Sequence, residues 1–143
     1  MRIRAFRETD RGAVIDLWER CDLTRPWNDP DLDIDRKVAH DPGGFLVLED
    51  DDGGIVACAM FGYDGHRGSV NYLGVDPDQR GGGHGRLLMA EIEQRLESLG
   101  CPKINLMVRA GNRDVAAFYE RLGYGTEDVV TMGNRLIEDA PRP

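Results

Sequence analysis

Long apolar runs, paired cysteines and an excess of positive charge are all missing from this chain, and each absence narrows what it does. No apolar stretch approaches the roughly 20 residues that a membrane span needs, so no membrane partner is expected. The start, "MRIRAFRETDRG", has no apolar region behind its charges, which predicts no signal peptide. Cys21, Cys58 and Cys101 are widely spaced and form no Cys-x-x-Cys. They read as reduced thiols of a cytoplasmic protein, each packed as a small apolar side chain. Only 18 Lys and Arg stand against 26 Asp and Glu, a net charge of −8. That balance argues against nucleic acid as a partner. The acids are dispersed, as in "EDDDGG" (49–54) and "DPDLDID" (29–35), and read mainly as solvated surface. An acidic rim would nonetheless attract a cationic ligand such as an amine. His40, His66 and His84 lie far apart without ligand spacing, so no metal is expected.

What is present fits one domain, residues 1–143, with 41% hydrophobic residues spread evenly and no repeat or linker. "RIRAF" (2–6) alternates as a strand does. Thr9 or Asp10 is placed to cap a helix carrying Val14, Leu17, Trp18 and Cys21. A second helix starts near Pro30 and ends before Pro42. "FLVLED" (45–50) and "IVACAMFGY" (55–63) flank "DDGG", a hairpin signal. "SVNYLGV" (69–75) is a further strand in which Gly74 suggests a bulge or a close approach by another group. Leu88, Ile92, Leu96 and Leu99 form the stripe of a third helix that stops at Gly100. "KINLMV" (103–108) is a strand, and "NRDVAAFYERLGY" (112–124) a helix with Asn112 as cap and Gly123 as stop. A last strand is expected within 126–137. The order β-α-α-β-β-β-α-β-α-β makes a mixed α/β sheet with a parallel crossover over 69–108.

The densest signal is "RGGGHG" at 80–85, directly before the third helix. N–H groups at a helix start lack intrahelical partners and sit at the positive end of the helix dipole. Glycine lets an anion approach them closely, so the turn reads as a phosphate or pyrophosphate site flanked by Arg80 and Arg86. It is not a P-loop, because no Lys follows the glycines. Nor is it G-x-G-x-x-G, whose last position would fall on Arg86 or Leu88.

The spacing does fit R/Q-x-x-G-x-G/A through Arg80, Gly83 and Gly85. "NRDVAAFYERLGY" fits N-x-x-A-x-x-F-Y-x-x-x-G-F/Y through Asn112, Phe118, Tyr119, Gly123 and Tyr124, with Ala116 one position past the alanine of the pattern. Together, in this order and separated by one helix and one strand, they resemble the GNAT superfamily of N-acetyltransferases over essentially the whole chain. The resemblance implies that strands 69–75 and 103–108 splay apart to admit the pantetheine arm of acetyl-CoA along Leu73, Gly74 and Val75. It implies that the N–H groups of Gly81, Gly82, Gly83, His84, Gly85 and Arg86 hold the pyrophosphate. It also places Asn112, Ala116 and Tyr119 beside the cofactor, with Tyr119 protonating the departing thiolate.

Some members carry a Glu in the fifth strand as general base, where "INLMVR" offers Met107. Asp64 and His66 in "YDGHRGS" are the substitutes nominated here, with Asp33 or Glu19 able to enter from the first helices, or a water chain to a more distant carboxylate. Trp27, Asn28 and Asp29 are nominated for the acceptor pocket. The resemblance implies a small-molecule or peptide amine as acceptor, and a monomer or homodimer is expected. A rival of another class is a module that binds or senses acyl-CoA without turnover; a weaker one is a nucleotide-binding protein.

Overall fold

Residues buried on both faces of a sheet read as an unbroken apolar run, and "FLVL" does so because Phe45 to Leu48 are fully buried. These residues lie in β2 (Phe45–Glu49), which pairs antiparallel with β1 (Arg2–Ala5) and with β3 (Ile55–Tyr63). β4 (Gly68–Val75) pairs antiparallel with β3 and parallel with β5 (Ile104–Asn105). The computed structural model describes residues 1–139, in which these strands form one sheet of order β1-β2-β3-β4-β5. One face packs on α1 (Arg11–Arg20) and α2 (Pro30–His40) through Val14, Leu17, Trp18 and Ile34. The other packs on α3 (His84–Ser98) and α4 (Arg113–Arg121) through Leu88, Met89, Ile92, Leu96 and Tyr119.

Local chemistry sets the helix starts. The Asp29 carboxylate accepts the Asp31 N–H with Pro30 in the first turn, and Asn112 accepts the Val115 N–H. Asp10, expected to cap α1, does not. Its carboxylate takes the Arg4 guanidinium at 2.8 and 2.9 Å and the Arg7 N–H at 2.8 Å, so it staples β1 to the turn before α1. The α3 stripe ends one residue early, because Leu99 lies beyond the helix and is 63% exposed.

Two expected strands differ from the observed backbone. The one at 103–108 is strand only at Ile104–Asn105, where it pairs with Gly68 and Ser69. Among the described residues, no strand lies within 126–137. That segment is tied by side chains instead of a ladder. Lys103 pairs with Glu127, Arg135 Nη1 donates to Asn28 Oδ1 at 2.8 Å, and Asp139 accepts from the Asp29 N–H at 2.7 Å and from Arg36 at 2.8 Å.

Candidate active site

The register between β3 and β4 slips by one residue: Cys58 faces Gly74 while Met60 faces Asn71. Tyr72 and Leu73 therefore oppose Ala59, a β-bulge in β4, and Tyr72 takes a left-handed φ of +54°. The expected choice for Gly74 resolves into both options. The bulge sits beside it, and a Cβ on Gly74 would stand 3.2 Å from Leu23 and 3.4 Å from the Cys21 thiol.

Beyond Ser69, β4 has a partner on one side only, because β5 stops pairing at Asn105. The edge from Val70 to Val75 thus presents unpaired backbone groups to a gap, as the splay requires. An extended chain carrying amide groups fits such an edge by strand-like hydrogen bonding.

The glycine turn lies just past this edge. Asp76 accepts the Asp78 N–H and the Arg20 guanidinium, the latter at 2.9 Å, which fixes α1 to the approach of the turn. Gly81 and Gly83 have φ of +85° and +82°, and a Cβ on either would meet nothing within 4 Å. The left-handed conformation demands glycine there, and the space beside the backbone is open. Gly83 is the N-cap of α3 and offers no side-chain cap, whereas α2 and α4 are both capped by side chains. Among the described residues no side chain caps the first N–H groups of α3, which leaves them open to an anion. Neither Arg80 nor Arg86 is ion-paired among the described residues, while Arg4, Arg11, Arg20 and Arg36 all are. Gly85 differs from its neighbours in the motif. It is buried, and its missing Cβ makes room for Phe118. His84 is half-buried in the first turn of α3.

Tyr119 lies on the α3/α4 face, 8% exposed, edge-on to Tyr124 at 5.6 Å. Its hydroxyl makes no hydrogen bond among the described residues, and burial pushes the phenol up to about 12. Ala116 is half-buried on the same helix, and Asn112 is exposed with its amide oxygen engaged as the cap.

On the opposite face, Trp27 is 53% exposed and lies under the Arg109 guanidinium, 5.8 Å from the ring centroid. Arg109 follows the residues that diverge from β4, so this contact bridges the α1–α2 loop and the far wall of the gap. Asn28 and Asp29 adjoin it, held by Arg135 and Asp139.

Asp64 and His66 are not brought to this place. They occupy the β3–β4 turn, at the other end of β4 from the glycine turn. At about 3.3 Å per residue, the strand puts roughly 20 Å between its ends. Asp64 Oδ1 is also occupied by the His66 and Arg67 N–H groups, both at 2.7 Å, and those bonds hold its carboxyl below the ordinary value. The pairing of these two residues is that of a tight turn. Glu19 is exposed on α1, and Met107 is 72% exposed.

The model of the acetyltransferase (GNAT) family matches residues 13–124. The chain belongs to the GNAT family. A relative named as an acetyltransferase, from Pectobacterium atrosepticum, is 58% identical over 139 residues, covering 97% of this chain and 98% of that one. Among solved structures, Ard1 from Thermoplasma volcanium superposes with a TM-score of 0.77 at 23% identity, over 92% of this chain and 84% of that one. The ribosomal-protein-S18-alanine N-acetyltransferase of Escherichia coli gives 0.73 at 24% identity, over 85% of this chain and 76% of that one. At these identities the structures show a shared fold and nothing about the acceptor.

Three features of this GNAT protein escaped the sequence reading: the turn of Tyr72 toward α1, the Arg109–Trp27 contact, and the anchoring of the C-terminal segment by Asp139. The first had a signal. Val70, Leu73 and Val75 all pack on the α3/α4 side, a spacing of three and then two that betrays an inserted residue. The other two join residues remote in sequence and leave no pattern.

Proposed function

We propose that this chain transfers an acetyl group from acetyl-CoA to a primary amine, directly and within a ternary complex. The observation that supports the reading best is the free glycine-built start of α3 beside the open edge of β4. The N–H groups of Gly81 to Arg86, with Arg80 and Arg86, would hold the pyrophosphate, and Leu73, Gly74 and Val75 the pantetheine arm. When bound, acetyl-CoA supplies an activated thioester. A backbone N–H freed at the bulged edge would stabilise negative charge on its carbonyl oxygen, an effect typically worth about 3 kcal/mol.

Tyr119 is the proposed acid. With its phenol near 12, it stays protonated at neutral pH and presents its unbonded hydroxyl to the leaving sulfur. Against a thiol of about 8.5, full proton transfer at rest would be uphill by roughly 5 kcal/mol. Its contribution is therefore a hydrogen bond to the developing thiolate, with the proton passing only as another replaces it. The acceptor must arrive neutral: for an amine near pKa 10.4 this costs about 4.6 kcal/mol at pH 7, and for an α-amine near 7.7 about 1 kcal/mol. Trp27, Asn28 and Asp29 line the proposed acceptor side.

The deciding experiment is a thiol-release screen with acetyl-CoA over small amines, amino acids and peptides of graded basicity. CoA release with at least one acceptor is expected. Tight acetyl-CoA binding with no release across the panel would favour a sensing module instead.

A further inference from the structure

Among the described residues Tyr72 is the one aromatic with a left-handed backbone, and the bulge turns its ring onto the α1/α2 face. There it stacks on Trp18 at 3.9 Å and 11°, and its hydroxyl donates to Asp33 Oδ2 at 2.5 Å. The next residues, Leu73 to Val75, are the open strand edge. A phenol–carboxylate pair is thus built beside that edge, on the side opposite Tyr119. Asp33 is not neutralised by a tight ion pair. Arg36 reaches its Oδ1 only at 3.4 Å and bonds Asp139 at 2.8 Å.

We propose that Tyr72 and Asp33 form the route by which the acceptor ammonium loses its proton, with Tyr72 touching the nitrogen and Asp33 acting through it. The inference rests on the acetyl-CoA-dependent reading above. As an N–H bond of the ammonium breaks, its proton passes to the Tyr72 oxygen while the Tyr72 proton passes to Asp33, which becomes a neutral acid. The freed nitrogen lone pair forms the C–N bond and the C–S bond breaks. The second nitrogen proton leaves to water, Tyr119 gives its proton to sulfur and is reprotonated from water, and Asp33 returns its proton to water, so that one proton is released per amide formed. The charged and titratable groups facing the phenol are Asp33 and Arg36 of α2, Asp139 of the C-terminal segment, and Cys58 of β3, whose sulfur lies 4.0 Å from the Tyr72 carbonyl oxygen. Burial first, and then the Asp33 carboxylate, hold the Tyr72 phenol well above its ordinary value. It therefore relays a proton without resting as a phenolate.

The test compares Tyr72→Phe, which keeps the stack on Trp18, and Asp33→Asn, which keeps the shape, singly and together. Each is assayed with a strongly basic alkylamine and with an alkoxyamine that is neutral at assay pH. For the alkylamine, kcat/KM should fall by about 10²-fold in each single variant, with the double variant no worse. The loss for the alkoxyamine should be at least about tenfold smaller, since no proton need be removed before attack. Raising the pH toward the alkylamine pKa should close most of the gap. Independently of turnover, tyrosine labelled with carbon-13 at Cζ should show the Tyr72 signal, assigned by its loss in Tyr72→Phe, titrating at lower pH in Asp33→Asn. The acetyl-CoA melting shift should be the same in all variants. Equal losses for both amines, additive losses, or an unmoved carbon-13 titration would each overturn the proposal. An active wild type matched by Tyr72→Phe would sink this route alone, whereas a wild type silent with every amine would sink the acetyltransferase reading as well.

Discussion

Gly85 lies directly against Phe118: a Cβ there would stand 3.0 Å from Phe118 Cζ and 3.5 Å from a Val75 methyl. The glycine that closes the loop motif and the aromatic residue of the helix motif are thus one contact. It seats the start of α3 on α4 and on the end of β4, and so fixes where the free N–H groups point.

Gly85→Ala should push on the Phe118 ring and destabilise the fold by about 1–3 kcal/mol, the range for overpacking. Gly83→Ala has open space around it but would force alanine into φ of +82°, costing roughly 1–2 kcal/mol. Both should weaken acetyl-CoA binding. Denaturant melts paired with cofactor titration check this; a Gly83→Ala protein with full affinity would contradict the proposed anion seat.

Tyr119→Phe should behave differently. The hydroxyl has no hydrogen-bond partner to lose among the described residues, so stability should change by less than about 0.5 kcal/mol. Turnover should fall by an order of magnitude or more, with acetyl-CoA affinity unchanged. Undiminished CoA release by the phenylalanine variant would leave Tyr119 as a core residue only.

How far the sequence reveals this molecule depends on how local each cause is. Helix starts near Pro30 and at Asn112, the hairpin across "DDGG" and the glycine turn each follow from a few adjacent residues, and the fold shows each where the sequence predicts it. Thr9 or Asp10 is the local choice of cap for α1, yet the Asp10 carboxylate turns back to Arg4 on β1 and to the Arg7 N–H instead of to the first N–H groups of the helix. Asp64 and His66 were chosen for their chemistry and their place just before β4. The strand's direction then places them at the end of β4 away from the glycine turn. The segment 126–137 has the apolar content of a strand, yet Val129, Val130 and Met132 stay exposed because Arg135 and Asp139 fix its course.

The Arg4–Asp10 pair gives a pH dependence of definite sign. Asp10 is 7% exposed, and its carboxyl is held below the ordinary value first by the Arg4 hydrogen bonds, against the opposing cost of burial. A depressed folded-state value means the pair stabilises fully above the unfolded carboxyl value of about 3.9 and is lost as pH falls through the folded one. Asp10→Asn should cost about 3 kcal/mol at neutral pH, the low end for breaking a buried pair, because Arg4 keeps Glu49. Its stability should also decline less steeply between pH 5 and about pH 2 than the wild type. Urea melts across that range measure both, and parallel acid limbs would show that Asp10 is not the group responsible.

Asp139 ties the C-terminal segment to Asp29 and Arg36, beside the proposed acceptor side, and it does so across nearly the whole accessible pH range. The Asp29 N–H first, then Arg36, hold its carboxyl down to about 2, so acid should not release the tie before the fold itself weakens. Substitution should release it. Asp139→Ala removes the bonds to Asp29 and Arg36 and the 3.1 Å ion pair with Arg135 at once, leaving Arg135 on Asn28 alone among side chains and Lys103 on Glu127. The core does not depend on these contacts, so the melting temperature should move little while cleavage within 126–139 by a low dose of protease speeds up several-fold. Because Asn28 and Asp29 adjoin Trp27, acceptor KM should rise with acetyl-CoA affinity unchanged. A variant with faster cleavage but an unaltered acceptor KM would separate the segment from the acceptor side, and one with neither change would show that the tie has no hold on the chain's course.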